Sequence, residues 1–526
     1  MRRIALLTAL IAPCSVHAQE IELSPNVDLR RLPPVVQQRI MADSDPLEFR
    51  GGLMNKTLAA SVQGHLPLVI IPVLFSDSNT PADMISASAL QSRLFSPATP
   101  SNVTAYFQEL SLGKLTITGI VTGWTSTTFT RAEVVGQSFG LGDEAKPREW
   151  FRQAVANADA TIDFGQFDND GPDGVPNSGD DDGRVDGAAF LFSEVDASCG
   201  GPGVWPHRWR LADGDIPGAV TNDPRPNGGT IIVDDYMTLS ARSCSGTQPL
   251  AVNVFAHETG HVLGLPDFYD LTSGILREQR RWVVGCWEIM SAGSWGCGSG
   301  PATTVVQPAH MGPHPKVLMG WITPKPVTPG VKPQQFELRP AHSSGDALRI
   351  RLSDREYLLV EYRAREGFDA ALPGAGVLVY HLESDRSFLP CPTCPRTYSY
   401  ALMEADGDSA LVKQETAGGN RGAATDAFGG TKSRLDDATI PNTRLNDGTP
   451  TWVRLTGIVV DAAARIARVT VSLLPTRLTV DALVSALSGT PLNAADDVLL
   501  DEAGNTNGRF DVGDFRAYLR SVEVAG

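Results

Sequence analysis

The sequence predicts an α/β (α+β) domain, then a β-sandwich-like domain, then a small helical module, and three observations carry that reading. From residue 67 to 325, strand-like apolar runs alternate with patches of helical period. From 326 to 475 the pattern turns to short β runs separated by Gly, Pro and Asp. From 476 to 526 it reads helix, loop, helix around an Asn- and Asp-rich turn. The 526 residues accommodate about three domains, at a prior of about 150 residues each.

In chain order, residues 1–18 hold Arg2 and Arg3, the apolar run Ile4 to Ala12, and small residues at Val16-His17-Ala18. These are the three parts of a secretory signal peptide. Residues 19–66 have mixed helical character with Pro33-Pro34 and suit a short pro-region. A strand is expected over Leu66 to Phe75, a helix over Val103 to Leu110, and a helix over Arg148 to Ala158. An Asp-rich loop then spans Asp163 to Asp186, and the β-branched run Gly229 to Val233 precedes a helix from about Leu250 to Leu263. In the β-rich part the clearest strands are Ala347 to Leu352, Tyr357 to Tyr362, Gly376 to Leu382 and Arg465 to Leu473.

Apolar residues make up 42% of the chain and charged residues 20%, the balance of a folded protein. The charge sum, 44 − 60 = −16, repels phosphates and anionic lipid, so nucleic acid and membrane surfaces are set aside as partners. Beyond the leader no run approaches the ~20 apolar residues of a membrane span. A secreted protein is expected, without membrane insertion and monomeric. Setting Cys14 aside with the leader leaves Cys199, Cys244, Cys286, Cys297, Cys391 and Cys394. Chain order favours pairing them two by two in that sequence, although the number of possible pairings is far larger.

The strongest chemical signal is His257-Glu258-Thr259-Gly260-His261. At 100° per residue the two imidazoles lie one turn apart on the same stripe and can hold one zinc ion. Glu258 then stands beside the metal, placed to take a proton from an acidified water and pass it to the leaving amine of a cleaved peptide. Gly264 and Pro266 end the helix and turn the chain back, so that Asp267 can serve as third ligand. Glu288 is the rival for that position. Met290, within Trp287-Glu-Ile-Met290-Ser, fits a methionine turn beneath the zinc rather than a ligand. Tyr236, Tyr269 and His207 are candidates to steady an oxyanion, with no choice among them.

With these residues in view, the chain resembles the immune inhibitor A family of secreted bacterial zinc metalloproteases, a metzincin-like branch. The resemblance runs from about Leu66 to Val471 and includes Val103-Thr-Ala-Tyr-Phe107, Phe167-Asp-Asn-Asp-Gly171, Trp205-Pro-His207-Arg-Trp209, Lys316-Val-Leu-Met-Gly-Trp321, Glu361-Tyr-Arg363 and Glu404-Ala-Asp-Gly407. It implies a zinc endopeptidase acting on protein substrates, with His257, His261 and Asp267 on the metal and Glu258 as general base. It also implies structural calcium. The oxygen-rich candidates here are Asp168, Asp170, Asp173, Asp180, Asp182 and Asp186, spaced with sharp glycine turns as calcium loops are. Asn505, Asn507, Asp511 and Asp514 resemble half of a dockerin-like or EF-hand-like loop whose first position falls on Ala503, with Asp501 as substitute. The alternative from another class is a non-catalytic, calcium-dependent adhesin on the same fold. An intact Glu258 speaks against it, since binding alone needs no such carboxylate. If the segment 19–66 inhibits, it lacks a cysteine to do so, and Asp43 or Asp45 is the expected group.

Overall fold

The computed structural model describes residues 20–21, 62–78, 84–270, 272, 279–300, 307–330, 332–384, 398–473, 480–492, 494–504 and 506–522. The signal segment, nearly all of the expected pro-region including Asp43 and Asp45, Cys391 and Cys394, and Asn505 lie outside them.

The first domain is built on a seven-stranded mixed sheet. Its members are β1 (Glu20–Ile21), β2 (Gly64–Leu74), β3 (Leu115–Val121), β4 (Thr125–Ser126), β5 (Ala188–Phe192), β6 (His207–Arg210) and β9 (Asp235–Ser240). β7 (Ala219–Pro224) and β8 (Thr230–Val233) form a separate hairpin. The order is β1-β6-β9-β5-β2-β3, with β4 continuing beside β2. β2, β3, β5 and β9 run parallel, while β6 is antiparallel to β9 and β1 antiparallel to β6.

Side-chain alternation divides the core in two. Leu68 and Ile70 of β2 and Leu191 of β5 face helices α1 (Ala87–Phe95) and α2 (Val103–Leu110). Val69, Ile71 and Val73 face the opposite way, with Phe190 and Phe192, onto α3 (Pro147–Ala158), whose Trp150 and Phe151 fill that layer. Because β2 is covered on both faces, its sequence is an unbroken apolar run rather than an alternating one.

α4 (Val252–Val262) sits in the first of these cores and is buried almost all round. Its first residue has no side-chain cap, so packing rather than local propensity holds it helical. α5 (Pro313–Leu318) closes the domain.

The later strands are β10 (Lys325–Pro326), β11 (Gln334–Leu338), β12 (Ala347–Arg351), β13 (Glu356–Arg363), β14 (Gly376–Glu383), β15 (Tyr400–Leu402), β16 (Arg454–Asp461) and β17 (Ile466–Ser472). They make a five-stranded sheet, β10-β12-β13-β14-β15, and a three-stranded sheet, β11-β17-β16. The two sheets share one apolar core through Leu358, Val360, Val377 and Val379 on one side and Leu455, Val469 and Val471 on the other. The intervening side chains Leu359, Leu378, Tyr380 and Leu382 point instead into the core that holds α4. The five-stranded sheet is therefore also covered on both faces, the second cover being the first domain. Last come α6 (Val480–Leu487), α7 (Ala494–Ala503) and α8 (Val512–Val522). No helix among the described residues is long and apolar enough to cross a membrane.

Candidate metal centre

α4 presents His257 and His261 from successive turns, both buried. Gly264 ends the helix at φ +103°, a value open to glycine. The Gly264 amide bonds the His261 carbonyl at 2.9 Å and the Leu265 amide bonds that of Gly260 at 3.0 Å, the paired closure of a Schellman motif. This reversal brings Asp267 back over the helix. Its Oδ1 lies 3.2 Å from His257 Nε2 and 3.6 Å from His261 Nε2, and the two Nε2 atoms are 3.2 Å apart.

The ring orientation is set from behind. His257 Nδ1 donates to the Ile289 carbonyl and His261 Nδ1 to the Leu265 carbonyl, each at 2.8 Å. With those protons committed, both Nε2 atoms present lone pairs to each other and to a carboxylate oxygen. Burial holds the His261 imidazole neutral, its pKa pushed down to about 4. Three converging acceptors are a poor arrangement without a cation among them. Ligands bonded tetrahedrally at about 2.0–2.1 Å stand about 3.3–3.4 Å apart, which is the spacing seen here, so the donor set fits zinc.

Glu258 follows His257 on the helix and is fully buried. Met290 lies against the other side of α4, where a Cβ at position 260 would collide with its Sδ. The turn around it is tied to the site twice, through the Ile289 carbonyl on His257 and through the Phe268 amide, which bonds the Met290 carbonyl at 2.7 Å. Glu288 does not reach the imidazoles. Its carboxylate accepts from the Gly312 amide at 2.7 Å and the Met290 amide at 3.3 Å, and burial raises its pKa to about 7.

Sequence reasoning missed Arg363. From β13 it donates to the Trp287 carbonyl at 2.9 Å, beneath the same turn, while Asp369 and Glu361 neutralise it. Glu361 and Asp369 are near it in the chain, and Glu361-Tyr-Arg363 is one of the stretches that carry the resemblance, but its bond to the Trp287 carbonyl spans 76 residues and no local motif shows it. Of the oxyanion candidates, His207 Nε2 and the Tyr236 hydroxyl bond each other at 3.0 Å, both buried, and burial lowers the His207 pKa to about 4. Tyr269 packs against Trp282. The buried His310 bonds Glu109 at 2.8 Å, and the half-buried His314 packs on Tyr400.

Among the calcium candidates, carboxylate oxygens of Asp168, Asp170 and Asp186 lie within 4.8 Å of one another. Asp168 is 1% exposed, and its Oδ2 accepts from the Gly183 amide. Asp173 and Asp180 stand in the exposed part of the loop, joined by a bond from the Asp173 amide to Asp180 Oδ2 at 3.2 Å, and the Asp182 amide bonds Asp170 Oδ1 at 3.3 Å. Glu404, Asp406 and Asp408 form another acidic group that the spacing alone did not flag. In the C-terminal module Asn507 bonds Asp511 at 2.8 Å, the Asp511 amide bonds Asp514, and Asp501 accepts from the Gly508 amide. Of the expected disulfides, Cys199–Cys244 and Cys286–Cys297 are formed, each with Cα atoms 5.1 Å apart.

A mixed sheet, a buried helix bearing two imidazoles and a carboxylate returned to them have the build of a metallopeptidase domain, and comparison with known proteins agrees. Residues 83–322 match the family model described as immune inhibitor A peptidase M6, catalytic domain. Immune inhibitor A of Bacillus thuringiensis subsp. alesti is 32% identical over 206 residues, covering 36% of this chain and 28% of that protein. The pre-pro-metalloprotease PrtV of Vibrio cholerae serotype O1 (strain M66-2) is 29% identical over 203 residues, covering 36% of this chain and 21% of that protein. Residues 83–322 are thus similar to the catalytic domain of immune inhibitor A, or M6, metallopeptidases, and the match spans less than a third of these relatives' lengths.

Proposed function

We propose that the chain is a secreted, zinc-dependent endopeptidase that hydrolyses peptide bonds in proteins, with His257, His261 and Asp267 as ligands and Glu258 as general base. The observation that carries this reading is the convergence of two Nε2 lone pairs and Asp267 Oδ1 at 3.2–3.6 Å. A zinc ion held there supplies Lewis acidity, polarising a carbonyl and acidifying a water. The chain's own groups do the rest. The Ile289 and Leu265 carbonyls hold the rings in one tautomer, Met290 floors the site, and the Glu258 carboxylate receives a proton and hands it to the leaving amine.

The same reading takes residues 326–475 as a β-sandwich-like domain and 476–526 as a helical, calcium-loop-like module. It assigns structural calcium to the Asp168, Asp170 and Asp186 group. Disulfides suit an exported protein. Residues 20–21 lie antiparallel on β6, pairing Glu20 with Arg208. An extended substrate main chain could add to that edge in the same way, which supports a pro-region that competes with substrate.

The test is hydrolysis of casein by the purified full chain, with the fragments read by mass spectrometry. Internal cleavage that a chelator stops and zinc restores is expected. Intact casein despite bound zinc and proteolytic removal of the N-terminal segment would contradict the reading.

A further inference from the structure

β11 is an edge strand. Among the described residues it pairs with β17 alone, so the other side of its main chain has no strand partner. It borders a cleft of about 590 Å³, which β10, the start of β12 and the turn between α2 and β3 also line. Residues 335–338 line the cleft consecutively, so main chain as well as side chains faces it. The residue after the strand gives the direction of the amides. The Arg339 amide bonds Asp346 Oδ2, on a cleft residue, at 3.0 Å. At the two-residue period of a strand, the amides of Gln335 and Glu337 point the same way. None of the residues around the cleft belongs to the metal centre.

The lining also has a charge pattern. Its two carboxylates are taken, Asp346 by Arg339 and Glu337 by Arg468, each at 2.9 Å. Its two lysines have no carboxylate partner among the described residues. Lys114 Nζ donates to the Gly320 carbonyl at 3.0 Å, and Lys325 Nζ lies 5.2 Å from the centre of the Phe336 ring. Both lysines are exposed. The cleft thus carries two unmatched positive charges on a chain whose net charge is −16. The apolar residues beneath, Trp321 and Leu348, are buried, so an entering group meets a polar surface that includes Thr323 and Gln335.

We propose that this cleft binds an extended, acidic stretch of polypeptide, which adds as a strand to β11 and sets its carboxylates against Lys114 and Lys325. An open strand edge is a template for another extended chain. The five residues of β11 offer about 17 Å of it, enough for a strand of ordinary length. The edge recognises main chain and the lysines choose the side chains. A free anion lacks the first of these features, and a neutral or basic strand lacks the second. The proposal concerns binding alone and does not depend on the chemistry at the metal.

The experiment is fluorescence anisotropy with a labelled peptide of alternating Glu and Thr, on the full chain carrying Glu258→Ala so that the probe is not cut. Saturable binding is expected, at least about tenfold tighter than that of the same peptide with Gln or Lys in place of Glu. Lys114→Ala combined with Lys325→Ala should weaken it about tenfold, the scale of two exposed ion pairs, and added salt should weaken it too. N-methylation at every second residue keeps the charge of the peptide and removes the donors of one edge. In one of its two registers it is expected to abolish binding. Absence of binding, binding unchanged by the paired lysine substitutions, or equal binding of the parent and both N-methylated forms overturns the proposal. Displacement of the peptide by free glutamate at equal concentration overturns it as well, since charge alone would then suffice. So does a concentration-dependent dimer that the peptide disperses, because a second copy would then occupy the edge. Casein hydrolysis by the wild-type chain is read separately, so failure of the peptidase reading leaves this result intact.

Discussion

Two main-chain carbonyls, those of Ile289 and Leu265, order the proposed metal centre from behind, because they commit the Nδ1 protons and aim both Nε2 atoms at one point. Asp168 shows the opposite case, a carboxylate placed where ionisation is costly. Burial first, and then the nearby Asp181, Asp182 and Asp170, raise its pKa to about 7. A folded pKa above the ordinary value near 3.9 means that the folded state holds the proton more tightly. Its contribution to stability is full below about pH 4 and is lost as pH rises through 7. On the proposed assignment a calcium ion would reverse this, so calcium should raise the melting temperature by a few degrees at pH 8 and far less at pH 5. Asp168→Asn should raise the calcium-free melting temperature at pH 8, and equal calcium shifts at both pH values would rule out this assignment. Much of this scale was legible in the sequence. The helical period put both imidazoles on one stripe, and the glycine after the helix foretold the return of Asp267. Asp181, which accepts from the Gly171 and Ser178 amides, was passed over because loop geometry, not spacing, decides which aspartate of a run turns inward.

At the scale of elements, the strands and helices with clear periodicity fall close to where the pattern put them, Val103–Leu110 and Val252–Val262 among them. Their pairing was not legible. That β6 runs antiparallel to β9 at the edge nearest the site, and that β13 sends Arg363 beneath the Met290 turn, depend on contacts between distant segments. Arg363 is fully buried and donates to Asp369 at 2.6 Å. Removing it strands two buried carboxylates and frees the Trp287 carbonyl. Arg363→Met is expected to cost about 3–5 kcal/mol in chemical denaturation and to weaken zinc retention. Arg363→Lys should restore little, because a lysine lacks the planar fork that spans Asp369, Glu361 and Trp287. Unchanged stability in both variants would mean that β13 merely covers the turn.

For the whole molecule, the sheet changes near residue 325, where β10 joins the five-stranded sheet. The core does not stop there. Leu359, Leu378, Tyr380, Tyr400 and Leu402 belong to the same apolar core as Met290 and α4, so the later sheet is continuous with the core that carries the site. A fragment ending at Lys325 would expose that face. It is expected to aggregate or to melt without cooperativity, whereas a chain ending near residue 475 should retain a cooperative transition. A stable, zinc-binding fragment 67–325 would show the two parts to be independent.

In the proposed mechanism Glu258 performs proton transfer at a metal held by His257, His261 and Asp267. The most direct measurement compares casein hydrolysis by wild type and Glu258→Gln, with zinc per chain determined in both. One zinc per chain is expected in each, with a loss of at least about a hundredfold in rate for the variant, the low end of what a general base contributes. A variant that keeps its zinc and cleaves at the wild-type rate would contradict it.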